Sequence, residues 1–260
     1  MITFKNLRAV AMAMALMAIT ITALAKDGSY YQLKVYHYKT QAQFEQLNAY
    51  LQQAYVPALH RYGIKKVGVF ATLPDDTADR KVYVFIPMKK LSKLEEIDHR
   101  LAADQKYIAD GGAYINAAFN GSPYTRIENI LLKAFSGMPN ADVPSLKSPK
   151  AERIYELRSY ESATEKYHLN KVDMFNTGDE ISLFKRLGFN AVFYSQVLSG
   201  GRMPNLMYMT TFNNRDERDK HWQAFNTDPV WKVLSAKEQY KNNVSRNEIV
   251  FLRPVEYSDF

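Results

Sequence analysis

The sequence predicts an α+β protein in which two copies of a β-α-β-β-α-β unit follow one another and pack sheet to sheet. Three observations carry this. The strand-like run "YYQLKVYHY" at 30–38 recurs as "IYELRSYES" at 154–162, with Tyr31, Leu33, Lys34 and Tyr36 falling on Tyr155, Leu157, Arg158 and Tyr160; such a repeat is sought first because it governs the whole fold. The same register runs on through every later element. Finally, the third strand of each copy, "KVYVFIPM" at 81–88 and "LMYMTTF" at 206–212, is apolar on both faces, whereas an antiparallel sheet with one face in water alternates. Each sheet is therefore covered twice, by helices and by the other copy.

Taken in order, the first 25 residues read as an export signal. Lys5 and Arg8 precede an uncharged apolar run at 9–25 that ends in Ala23-Leu24-Ala25, the small-x-small pattern of a cleavage site. That run is short against the roughly 20 residues that span a bilayer, and no later segment is long and apolar enough. The expectation is an exported chain, periplasmic or secreted, with no stable membrane span after cleavage.

The first copy occupies 26–135. After its strand comes helical periodicity at 41–62, closed by Gly63, a residue suited to a helix C-cap. Strands at 64–73 and 81–88 flank the turn "PDDTADR" (74–80). A charged helix follows that restarts at Asp104, and "TRIENILLKAF" (125–135) closes the unit. The segment 136–151, with three prolines, is a linker. The second copy, 152–260, repeats the order: a helix over 165–187 closed by Gly188, a strand at 189–198, the turn "SGGRMPN" (199–205), the strand at 206–212, a helix restarting at Asp228-Pro229, and "EIVFLRPV" (248–255). Each copy is thus ferredoxin-like, with both helices on one face of a four-stranded sheet. Two such units packed sheet to sheet make a pseudo-dimeric α/β barrel with its helices outside.

Leu33 and Leu157 suit the helix side of such a sheet, which directs Gln32, Lys34 and Tyr36, with Glu156, Arg158 and Tyr160, into a partly polar interior. A buried charge must be paired, so Glu156 and Arg158 form either a structural ion pair or the polar end of a ligand pocket. Tyrosine is frequent, with 18 in the chain, and strand tyrosines such as Tyr194 and Tyr208 would serve either as an aromatic cavity lining or as ordinary core. The candidate ligand-binding set is Glu156, Arg158, Tyr160, Tyr194, Tyr208, Lys34 and Tyr36.

Composition narrows the chemistry. The chain has no cysteine, which removes disulfides, thiolate metal sites and a cysteine nucleophile. Its formal charge is +7, but the basic residues are spread thinly, with doublets such as Lys65-Lys66 and Lys89-Lys90 read as solvated surface, so nucleic acid is not an expected partner. None of the five histidines pairs with another at helical ligand spacing, and no metal site is predicted. Phosphate loops, the G-x-S-x-G elbow and H-E-x-x-H are absent.

The second copy resembles the NIPSNAP-domain proteins of the dimeric α/β-barrel superfamily, through "YELRSY" (155–160), "RDERDKHW" (215–222) and "FNTDPVW" (225–231). The first copy is a degenerate version with Leu101, Asp104 and Tyr107 where the second has Phe225, Asp228 and Trp231. The resemblance implies the fold and the tandem arrangement but no agreed reaction. Its motif residues Asp228, Pro229, Trp231 and Arg218 have a structural reading: Asp228 as N-cap, Pro229 in the first turn and Trp231 as packing. The leading functional expectation is a small hydrophobic or aromatic molecule held between the sheets, with no cofactor. Beside it stand a cofactor-free monooxygenase-like or haem-handling enzyme, with His168 or His221 as the haem ligand, and a protein-interaction scaffold with a filled core. Further homo-oligomerisation stays open.

Overall fold

The computed structural model of the chain describes residues 28–73 and 80–260; the expected export signal and most of the expected turn at 74–80 lie outside the described residues. Eight strands form one closed antiparallel barrel in the order β1-β3-β2-β8-β5-β7-β6-β4. They are β1 Tyr30–His37, β2 Gly68–Thr72, β3 Lys81–Met88 and β4 Arg126–Ala134 from the first copy, and β5 Ile154–Glu161, β6 Asn190–Ser199, β7 Asn205–Phe212 and β8 Arg246–Pro254 from the second. Each copy contributes one four-stranded sheet. Two seams join them within the one chain: β2 to β8, where Phe70 faces Pro254, and β4 to β6, where Ala134 faces Ser195. Closure leaves no unpaired strand edge.

The helices lie where the repeat predicts. In the first copy α1 (Gln41–Tyr50) runs through a π-helical turn (Leu51–Tyr55) into α2 (Val56–Arg61). Thr40 starts it with a capping box shared with Gln43. α3 (Lys93–Ala103), α4 (Gln105–Asp110) and the short α5 (Gly112–Ile115) follow β3. In the second copy the order is α6 (Glu165–Asn176), α7 (Glu180–Arg186), α8 (Arg215–Thr227) and α9 (Pro229–Ala236). Gly63 (φ +85°) and Gly188 (φ +77°) both take the left-handed conformation. Behind them Ile64 donates to the Leu59 carbonyl and Phe189 to that of Phe184, each at 3.0 Å, so both helices end in the same Schellman-type turn. One element departs from expectation. The helix expected to run unbroken over 165–187 divides at Gly178-Asp179, where Asp179 is left-handed (φ 68°).

The facing of the strands is the reverse of what the sequence suggested. Tyr31, Leu33 and Val35 of β1 point into the barrel, packed with Tyr155 and Leu157 of β5, Phe85, Phe193, Met207 and Met209. Tyr36 packs instead on the helices of its own copy, and Tyr194 and Tyr208 do the same in the second. A strand has a side-chain period of two, so choosing the wrong leucine face moves every residue to the other side. The choice was open because both faces are buried, and apolarity alone does not separate them.

One end of the barrel is plugged. Phe85 stacks on Phe193 with ring centroids 4.8 Å apart, Phe70 lies 4.9 Å from Tyr155, and Phe260 packs edge-on to Phe85. The linker lies against the same core through Ala141, Val143 and Leu146. The other end, where β1 and β5 finish, stays open.

Candidate functional site

The seven candidate residues sit outside the barrel, between sheet and helices. In the second copy they build one charged knot. Glu156 is fully buried. It accepts from Arg158 Nε (2.6 Å), from Arg218 Nε and Nη2 (2.7 and 3.0 Å) and from Trp222 Nε1 (2.9 Å). The guanidinium of Arg158 lies over the Trp222 ring at 3.6 Å and donates to the Tyr160 hydroxyl, which in turn bonds to that of Tyr208 at 2.8 Å. Burial alone would raise the pKa of Glu156; the hydrogen bonds and charges of Arg218 and Arg158 outweigh it and hold the carboxyl below its usual value. Every acceptor position of this carboxylate is engaged, and Tyr194 stacks beside Tyr208 with centroids 5.6 Å apart. The knot ties strand to helix, and the expected Glu156–Arg158 ion pair is part of it.

Lys34 and Tyr36 occupy the matching place in the first copy. Lys34 Nζ is 3.5 Å from the Tyr55 hydroxyl and lies over the rings of Tyr55 and Tyr36. Burial lowers its pKa, with Asp98 opposing. These two residues and the Glu156 knot are on opposite flanks of the barrel and do not meet.

A cavity of about 290 Å³ does lie between the sheets, at the open end, and its lining comes from the inward faces of both copies. Val35, Ile130, Leu157, Met207 and Val250 form its walls. Ser159 and Asn205 add a buried polar spot, hydrogen-bonded to each other at 3.0 Å. The rim is charged and nearly self-neutralising. Glu128 pairs with His37 at 2.9 Å, and Glu248 with Arg202 of the β6–β7 turn. Glu128 and Glu248 hold equivalent places in the two repeats, each third in an Arg-x-Glu that opens the last strand, Arg126-Ile127-Glu128 in β4 and Arg246-Asn247-Glu248 in β8. Apolar walls, one buried polar pair and a balanced rim suit a small, largely apolar guest with one or two polar groups.

This lining was missed from the sequence because the faces were assigned in reverse. The repeated Arg-x-Glu was the signal that could have found it. The turn "SGGRMPN" contributes Gly201 and Arg202 to the mouth.

The remaining motif residues have structural placements. Asp228 caps α9 through Val230 N (2.9 Å), with Pro229 in the first turn, and accepts both oxygens' bonds from Arg186 at 2.9 Å. Trp231 packs on Phe225, centroids 4.5 Å apart. His221 is fixed by a 2.6 Å bond between Nδ1 and the Leu187 carbonyl, and burial lowers the pKa of His168 on α6. Neither histidine borders the barrel cavity, and among the described residues no group of three or more His, Cys, Asp or Glu is placed to hold a metal ion.

With this geometry in hand, comparison with known proteins gives two kinds of likeness. Residues 155–259 match the family model described as NIPSNAP. The whole architecture is similar to a candidate monooxygenase from Lactobacillus acidophilus, with a TM-score of 0.55 at 11% identity, covering 88% of this chain and 94% of that one. A candidate monooxygenase from Fusobacterium nucleatum gives 0.54 at 8% identity with the same coverage. At such identities the likeness is one of fold. No curated protein matches the chain.

Proposed function

We propose, from the premise that the second half of this chain is a NIPSNAP domain closing a one-chain α/β barrel, that the protein binds a small hydrophobic or aromatic molecule in the open end of the barrel. The observation that carries this is the cavity of about 290 Å³ between the sheets, close to the lower bound of ordinary ligand pockets, roughly 300 Å³. Its lower half is blocked by the aromatic plug, so a guest enters at the mouth and rests on Leu157 and Met207. The Ser159–Asn205 pair offers it a hydrogen bond, and the rim charges screen its polar end. We take the protein to be exported, with the mature chain beginning at Lys26; N-terminal sequencing of the secreted or periplasmic material checks this.

The test is native mass spectrometry of the protein from its own host, followed by fluorescence titration with 2-naphthol. A co-purifying small molecule, or one naphthol per chain, is the expected result. Val250→Phe and Met207→Phe should each weaken binding at least about tenfold by filling the cavity. A clean apo mass together with naphthol binding that ignores both substitutions would overturn the proposal.

A further inference from the structure

A second cavity, of about 450 Å³, opens near the plugged end of the barrel. Two basic doublets that are far apart in the sequence, Lys65-Lys66 and Lys89-Lys90, meet here. Lys65 and Lys66 follow the left-handed Gly63 that ends α2; Lys89 and Lys90 follow β3. Because β2 and β3 are paired neighbours, with Gly68 opposite Phe85, the segments flanking them come together. Lys93, in the first turn of α3, is the fifth lysine in the lining, and no aspartate or glutamate side chain joins them.

The positive charge is almost uncompensated. Lys93 pairs with Glu96 at 2.6 Å. Lys89 is oriented by Asn140 Oδ1 at 2.5 Å and Ser29 Oγ at 3.5 Å, both neutral. Lys65, Lys66 and Lys90 have no carboxylate partner among the described residues. Surface lysines usually diverge into solvent, and like charges gathered around a concavity repel unless an anion joins them. The floor is apolar: Met88 and Phe260 are 4% and 2% exposed, and Ile64 and Pro87 complete it. Lysines at the edge over an apolar floor differ from the barrel mouth, where acids and bases alternate.

We propose that this cavity binds a small amphiphilic anion, a carboxylate or phosphate carried on an apolar chain or ring, with the lysines holding the head group and Met88 and Phe260 the apolar part. The lysine ammonium suits this as a rotatable point charge that does not demand the fixed geometry of a guanidinium. The proposal is independent of the barrel-mouth reading, since the two linings share no residue.

Isothermal titration of the mature protein with monomeric dodecyl phosphate, below its critical micelle concentration, tests it. One site per chain is expected, with affinity falling as salt rises. Inorganic phosphate and neutral dodecanol should each bind at least about tenfold more weakly, because each keeps only half of the recognition. The triple variant Lys65→Ala, Lys66→Ala, Lys90→Ala removes exposed side chains and should fold normally while losing at least about tenfold in affinity; Val250→Phe should change nothing. Equal binding of dodecanol, or dodecyl phosphate binding that survives the triple variant, would overturn it. So would attachment to vesicles of anionic phospholipid without one-to-one binding of the monomeric amphiphile.

Discussion

The two repeats share a backbone plan and fill the space between sheet and helices with different chemistry. In the second copy a buried carboxylate on the strand, Glu156, collects Arg158, Arg218 and Trp222, surrounded by Phe175, Phe184, Phe189 and Phe225. In the first, the equivalent of Glu156 is Gln32, which donates to Asn129 at 3.0 Å, and the flank is filled by tyrosines: Tyr50 stacks on Tyr114 at 3.7 Å and shares a 2.8 Å hydrogen bond with Tyr107. The first flank is therefore held by hydroxyls and rings gathered around the single cation of Lys34, the second by a knot of opposite charges. The knot is built from the motif residues of the second copy. Arg218 and Trp222 belong to "RDERDKHW", and the carboxylate they bind lies in "YELRSY".

The largest effect follows from that contrast. Glu156→Ala leaves two guanidinium groups in a buried site without their counter-charge and should cost about 3–5 kcal/mol, read as a lower urea midpoint. Gln32→Ala, which removes one neutral hydrogen bond, should cost about 1 kcal/mol. Equal costs would show that the knot does not distinguish the repeats. The same carboxylate makes stability pH-dependent. Its folded pKa lies below the unfolded value, so its contribution is complete above the unfolded pKa and is lost as pH falls through the folded one. Glu156→Gln should flatten that acid limb of the stability curve, leaving the part due to other carboxylates.

A middle-sized effect tests where the repeats agree. In each copy an arginine ending the first helix reaches the N-cap aspartate of the restarted helix: Arg61 to Asp104 at 2.5 Å, and Arg186 to Asp228 at 2.9 Å. Asp104 also accepts from Tyr107 N, as Asp228 does from Val230 N. Asp104→Ala and Asp228→Ala should lower the thermal midpoint by similar amounts, about 3 °C each, although only the second copy carries the proline. A cost confined to Asp228 would mean that the first copy's clamp is ornamental.

How much of this was legible in the sequence depended on the kind of signal. Repeat order, helix restarts and terminal glycines could be read because each rests on local backbone chemistry: Gly63 and Gly188 supply a left-handed residue, and Asp104 and Asp228 supply a cap. The facing of β1 and β5 could not be read that way. Tyr31, Leu33 and Val35 make an apolar face and Gln32 and Tyr36 lie on the other, but both faces are buried, so apolarity does not say which one meets the helices. What decides the matter is the partner each charge finds, and Glu156 finds Arg218 and Trp222 some sixty residues away, on a helix whose relation to the strand only the fold supplies. The lysine cavity was hidden for the same reason, since Lys65-Lys66 and Lys89-Lys90 meet through the pairing of β2 with β3.

The smallest effect tests the repeats inside the barrel, where they are most alike. Tyr31 and Tyr155 hold equivalent places in the plug, both fully buried. Neither hydroxyl has a hydrogen-bond partner among the described residues; burial drives both pKa values upward, and near Tyr155 the charge of Arg153 opposes it and limits the rise to about 12. An unpaired buried hydroxyl costs its desolvation without return. Tyr31→Phe and Tyr155→Phe should therefore each be neutral or stabilising by up to about 1 kcal/mol. Urea midpoints of the two variants decide it. A loss of stability in one variant alone would mean that its hydroxyl has a partner in solution, and the two halves of the pseudo-symmetric plug would then differ in polarity.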